Sequence, residues 1–224
     1  GLWDTPSIEG LMSLAMRNRD HLVSYDQASM FNKAKFRLLD TVVRANSRRG
    51  ARKNIRAHYD VGNEFYGLWL DEGMTYSSGL FDTGENDLTR AQTRKNARAL
   101  SRLGTGERTL EIGCGWGGFA EAAIEEGRAV TGVTISRNQH SYAECRLDGR
   151  ADIQLRDYRD ISGKYDNIVS IEMIEAVGAR YWPSYFATIK RSLADGGRVL
   201  LQAITVKDSF FETYKSSSDY IRQY

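Results

Sequence analysis

The chain has 224 residues, 41% of them hydrophobic and 27% charged, with 31 basic and 29 acidic side chains and a net charge of +2. Two prolines and 21 glycines exclude a collagen-like or low-complexity chain, and 11% aromatic residues exclude a disordered one. No apolar run approaches the ~20 residues of a membrane span, GLWDTPSIEG has neither a basic nor an apolar signal region, and Cys114 and Cys145 form no metal or disulfide pattern. The expectation is a soluble, cytoplasmic globular protein.

Ser7 is placed to cap a helix in which Ile8, Leu11, Met12, Leu14, Ala15 and Met16 fall at helical spacing. A second run, Ala28 to Val43, repeats the spacing with Met30, Phe31, Ala34, Leu38 and Val42. Six cations follow without an acid (Arg44, Arg48, Arg49, Arg52, Lys53, Arg56), so the rest of the chain is net acidic. Such a cluster fits a surface that meets phosphate, in nucleic acid or in anionic lipid heads, or else a solvated linker. No aromatic residue is interleaved, which argues against stacking on single-stranded nucleic acid. Residues 1–50 read as a helical N-terminal extension, and 51–224 as the main domain. Residues 58–86 are dense in aromatics, among them Tyr59, Phe65, Tyr66, Trp69, Tyr76 and Phe81. Leu88 to Leu103 reads as a helix with Asp87 as cap and Gly104 as stop.

From residue 107 strands alternate with helices. ERTLEIG, AVTGVTIS, DIQLRD, KYDNIVSI and RVLLQAIT are five strands, with helices at Phe119–Glu126, Arg137–Leu147 and about Trp182–Leu193. This alternation predicts βαβ units and a doubly wound, mostly parallel α/β sheet with its ligand site at the strand C-termini. Glu-Ile-Gly-Cys-Gly-Trp-Gly-Gly at 111–118 sits between a strand and a helix, where glycines let a ligand approach the backbone. A dinucleotide enzyme wants an acid ~20 residues on to hold the ribose. Thr134, Ile135 and Ser136 stand there instead, and no Lys or Arg lies between Glu111 and Glu126 to meet a diphosphate. Glu111 suits a ligand carrying an ammonium group, which favours S-adenosylmethionine over a dinucleotide or a purely structural turn.

These residues also carry a resemblance. LEIGCGWGGFA, VTGVTISRNQ, LRDYRD and YDNIVSIEMIEAVG, with NIRAHYDVGNEFYGLWLDEGMTYSSGLF upstream and LLQAIT downstream, are similar to class I methyltransferases of the cyclopropane fatty acid synthase family. The similarity spans about residues 53–206, and HYDVGNEFY, TYSS and EIGCGWGG in that order are its most specific part. It implies a Rossmann-like class I methyltransferase fold, and an activity that adds the S-adenosyl-L-methionine methyl carbon across a cis double bond of an unsaturated phospholipid acyl chain. Gly113, Gly115, Tyr76 and Ser77 match positions that meet the methionine part of the cofactor. Thr134 and Gln139 match ribose or methionine positions, and Asp157 and Tyr158 match the adenine region.

Such a reaction needs a dry apolar channel, electron-rich walls beside a carbocation, and a base that takes a proton from the transferred carbon. In the family a bicarbonate ion serves as that base. Glu175 matches a family Glu that holds it. Ser78 stands where several members have Cys, Gln202 where they have His, and Ala176 where others have His. Ser78 and Gln202 can hydrogen-bond an anion, yet neither is a base at neutral pH. The resemblance thus implies a cyclopropane product, with a methyl- or methylene-branched product and a methyltransferase on another substrate as alternatives. Anionic membrane contact through Arg44–Arg56 at the inner membrane surface is expected, nucleic acid is not, and a homodimer stays open. A sheet of this class carries two more strands after the fifth, so the chain reads as a C-terminally incomplete piece whose last strands are missing.

Overall fold

The computed structural model describes residues 4–18, 50, 62–209 and 211. Helix α1 (Ile8–Arg17) belongs to one compact unit and residues 62–206 to a second. Helix α1 starts where Ser7 Oγ accepts a hydrogen bond from Gly10 N at 2.9 Å, a cap worth about 1 kcal/mol. Its apolar residues Ile8, Met12 and Met16 are exposed. The run Ala28–Val43 and the basic cluster from Arg44 to Arg56 lie outside the described residues.

The second unit opens with α2 (Asn63–Gly67) and α3 (Leu88–Leu100), then alternates β1 (Arg108–Ile112), α4 (Gly118–Glu125), β2 (Ala129–Thr134), α5 (Arg137–Leu147), β3 (Asp152–Leu155), β4 (Tyr165–Ile171), α6 (Ile174–Val177), α7 (Trp182–Ser192) and β5 (Leu193–Gln202). Asp87 caps α3 by accepting from Arg90 N, and Ser136 caps α5 by accepting from Gln139 N. Beyond Leu100 the amides of Arg102 and Leu103 donate to Ala99 and Leu100 carbonyls, so tighter turns complete the helix expected to reach Leu103. Strand β5 stops at Gln202 because the next free amide, Ile204 N, donates to the Glu175 carboxylate.

The five strands run parallel in the order β3-β2-β1-β4-β5. The connection from β1 goes to one side and the connection from β3 returns to the other, so a crevice opens at the C-terminal ends of β1 and β4. Alternate residues of these strands bury opposite faces. Leu110, Ile112, Val133 and Ile168 pack with Tyr185 and Ile189 of α7, while Val130 and Val169 pack with α3, α4 and α5 through Leu100, Phe119, Ala123 and Leu147. Each of these large side chains contributes about 1.5–3 kcal/mol by leaving water.

Asn167, fully buried on β4, ties the entry to β1 in place. Its Oδ1 accepts from Gly104 N at 2.7 Å and its Nδ2 donates to Gly106 O at 2.8 Å. Asn167→Ala strands the half-buried Gly104 amide and leaves Gly106 O to Arg128 alone, and urea unfolding is expected to show a loss of about 1–3 kcal/mol.

Candidate active site

The chain leaves β1 through a loop whose first amides, Gly113 N and Cys114 N, donate to Val133 O of β2 at 2.9 and 3.1 Å. Gly113 has φ +83° and Gly115 φ +54°, a left-handed region that side chains other than glycine's resist. At Gly115 a methyl group would meet nothing within 4 Å, so the backbone faces open space and a ligand can lie against it.

Below that loop, Glu111 ends β1 almost fully buried, and its Oε2 has no hydrogen-bond partner. Burial pushes its carboxyl up to about 8, against the pull of Lys95. Lys95 is buried too, on α3, and burial lowers its ammonium to about 8 despite nearby Glu111, Glu172 and Asp71. Its Nζ donates to Ser77 Oγ at 2.8 Å, and Gln92 Nε2, one turn away, donates to Ser77 O at 2.6 Å. Helix α3 therefore fixes the Tyr76-Ser77 pair through groups on one face. An orphaned carboxylate oxygen at the foot of an open glycine loop fits the amino-acid head of S-adenosylmethionine, whose ammonium would satisfy it.

An aromatic wall stands beside this foot. Tyr76 lies 5.3 Å edge-on from Trp69 and 5.5 Å from Tyr66, whose ring is 4.9 Å from Trp116. Trp116 Nε1 donates to Asn63 Oδ1 at 2.8 Å, which joins α2 to the glycine loop. The connecting turn is built on Asp71, which accepts from Gly73 N and Thr75 N, and Arg146 of α5 donates to Gly73 O at 2.7 Å. Phe65, Leu68, Trp69, Tyr76 and Phe81 keep an apolar surface exposed.

Thr134 and Gln139 meet at the end of β2. The Thr134 hydroxyl donates to Gln139 Oε1 at 2.8 Å and accepts from Ser136 N at 3.2 Å. Asp157 is buried, but its carboxylate is held by Arg159, at 2.8 Å from Nε and 2.6 Å from Nη2. An adenine amine would share that carboxylate with the guanidinium. Tyr158 is packed in the core, edge-on to Tyr185 at 5.5 Å, with Arg159 over its ring.

Two of the three remaining positions, Ser78 and Gln202, converge at the other side of the crevice, around a residue that the sequence reading did not select. Glu172, immediately after β4, accepts at Oε1 from Ser78 N and from Gln202 Nε2, both at 2.9 Å. Gln202 Nε2 also donates to Ser78 O at 3.3 Å, and Glu172 N donates to Gln202 O at 2.8 Å. Ser78 therefore contributes its backbone to this cluster. Glu172 has φ +48°, rare for a side chain with a Cβ, and such strain costs about 1–3 kcal/mol. Glu175 accepts from Ile204 N, two residues past Gln202. The signal for Glu172 was the first of the two carboxylates in SIEMIEAVG, and for Lys95 a cation on the buried face of α3.

Comparison with known proteins identifies the family. Residues 46–224 match the family model described as mycolic acid cyclopropane synthetase. The chain is 39% identical over 193 residues to tuberculostearic acid methyltransferase UfaA1 of Mycobacterium tuberculosis, covering 80% of this chain and 45% of that protein. It is 40% identical over 156 residues to cyclopropane-fatty-acyl-phospholipid synthase of Escherichia coli, covering 68% and 41%. Among solved structures it is similar to mycolic acid cyclopropane synthase CmaA1 complexed with SAH and CTAB, at 32% identity and a TM-score of 0.64, covering 67% and 55%. The chain spans less than half the length of these two curated relatives.

Glu111 gives the fold a pH signature. Its folded carboxyl titrates near 8 against an ordinary 4.5, so its contribution is fully present below 4.5 and is lost as pH rises through 8. Urea unfolding at stepped pH is expected to show stability falling across that interval, with Glu111→Gln flattening the fall. Equal slopes in the two proteins would contradict the assignment.

Proposed function

This chain belongs to the mycolic acid cyclopropane synthetase family, and from that premise we propose that it transfers a one-carbon unit from S-adenosylmethionine to a cis double bond of an unsaturated phospholipid acyl chain. The observation that carries the reading is the unpartnered Oε2 of Glu111 beneath the open backbone of Gly115. S-adenosylmethionine supplies an electrophilic methyl group on a sulfonium. Glu111 accepts from its ammonium, Gly113 and Gly115 let its methionine part lie against the backbone, and Tyr76 with Ser77 closes over that part. Thr134 and Gln139 offer neutral groups to the ribose, and Asp157 with Tyr158 borders the adenine.

An alkene is a weak nucleophile and must be pressed onto the methyl group in a water-poor channel. The exposed apolar surface of Phe65, Leu68 and Trp69 is the entrance that suits an acyl chain. Positive charge that develops on the chain faces the rings of Tyr66, Trp69 and Tyr76, whose π-electrons attract cations. The proposed product is the cyclopropane. The methyl- or methylene-branched product is kept as a second reading because Ser78 and Gln202 here hold a fixed carboxylate. Among the described residues no helix is long and apolar enough to cross a membrane. Docking to an anionic membrane surface is assigned to the basic cluster 44–56, at about 1 kcal/mol per cation.

Incubation with S-adenosylmethionine and vesicles of unsaturated phospholipid is expected to add one CH2 per modified chain, read by mass spectrometry. Mild hydrogenation then separates the ring, which survives, from a methylene branch, which is reduced. Unchanged lipid would refute the reading. Replacing Arg48, Arg49 and Arg52 by Ala is expected to weaken binding to anionic vesicles and leave S-adenosylhomocysteine affinity unchanged; equal loss of both would remove the membrane assignment.

A further inference from the structure

We propose that Glu172 supplies a built-in carboxylate as the proton acceptor, in the place where the family resemblance implies an exchangeable bicarbonate; this rests on the function proposed above. The amide donors that could grip a bound anion are already committed. Ser78 N–H and one Gln202 amide hydrogen point at Glu172 Oε1, and the other amide hydrogen goes to Ser78 O. The amide of Ile204, two residues on, is given to Glu175. A bicarbonate placed here would meet the Glu172 carboxylate, with the Ser78 hydroxyl as the one donor of these groups left to hold it, and like-charge repulsion opposes that pairing.

Glu172 is also presented as a base. Both donors bind one oxygen, and among the described residues Oε2 accepts no hydrogen bond. Oε1 is thus the anchored atom and Oε2 the free one, on a half-buried side chain at the crevice. The left-handed backbone at Glu172 directs this carboxylate across to Ser78 and Gln202, on segments 94 and 30 residues away. In the proposed step a C–H bond of the cationic acyl product breaks. Its electron pair forms the ring C–C bond or the branch C=C bond, its proton goes to Glu172 Oε2, and water then takes the proton from the carboxylic acid. No oxidant or second anion enters the balance.

Two variants separate this arrangement from a structural role. Glu172→Gln keeps an oxygen for Ser78 N and Gln202 Nε2 but is no base at neutral pH. Glu172→Gly suits the φ of +48° and opens the place the carboxylate fills. With the whole chain saturated by S-adenosylhomocysteine, NMR of 13C-bicarbonate is expected to show no saturable binding to the wild type and saturable binding to Glu172→Gly. In turnover on unsaturated phospholipid vesicles, stripping bicarbonate from the buffer should leave the wild-type rate unchanged. Glu172→Gln should lose about 10²–10⁴-fold with S-adenosylhomocysteine affinity unaltered, and added bicarbonate should restore part of the Glu172→Gly rate. Saturable bicarbonate binding by the wild type, or a wild-type rate that falls when bicarbonate is removed, overturns the proposal. If the wild type modifies no acyl lipid, the function fails, and the bicarbonate titration still decides what occupies this place.

Discussion

A carboxylate buried at the end of the central strand sets the terms for the rest of the site. Glu111 lies where β1 is flanked by β2 and β4, so water cannot solvate it and no backbone amide reaches its Oε2. Burying such a group alone is expensive. The molecule answers with Lys95, equally buried, delivered by α3 from the face that packs against the sheet. Lys95 in turn holds Ser77, and Gln92 holds the same stretch of chain. The position of the Tyr76-Ser77 segment is thus a consequence of neutralising β1, and the aromatic wall inherits that position.

The neighbouring strand ends in a second carboxylate treated in the opposite way. Glu172 is half exposed and held by two donors, where Glu111 is sealed and left with an orphaned oxygen. Two acids at adjacent strand ends, in unlike surroundings, are suited to unlike tasks. One waits for a positive charge that a ligand brings, and the other is already satisfied on one side and open on the other. The crevice between β1 and β4 therefore has two unlike acids: a sealed one with an orphaned oxygen and a half-exposed one held by two donors.

Much of this was readable from the residues alone. The helix Arg137–Leu147 has its predicted bounds, since Ser136 is a cap and the glycine after Asp148 a stop. The parallel sheet followed from apolar runs alternating with helical spacing, and family membership from motifs at fixed distances. Glu172 was not readable, because its importance comes from a positive φ and from partners at Ser78 and Gln202 that no local pattern relates to it. Lys95 hid in AQTRKNARAL, a helix so polar that its buried face is visible only once packed. That Asp157 is shared with Arg159, two residues along, which binds both of its oxygens, was equally out of sight. Short-range pairing of that kind leaves no mark on spacing.

The cluster around Glu172 also bears on how the molecule comes into being. Ser78 meets Gln202 across 124 residues of chain, and Glu172 across 94. Contacts of such long range are the slow ones to form, since loop closure comes before any reward. On a ribosome the aromatic wall and glycine loop emerge first, and Gln202 is the last member of the cluster to leave the tunnel. A nascent chain that has made the glycine loop thus still lacks the Ser78–Glu172–Gln202 cluster, which waits until the fifth strand has docked. Birth order alone makes this cluster a late one.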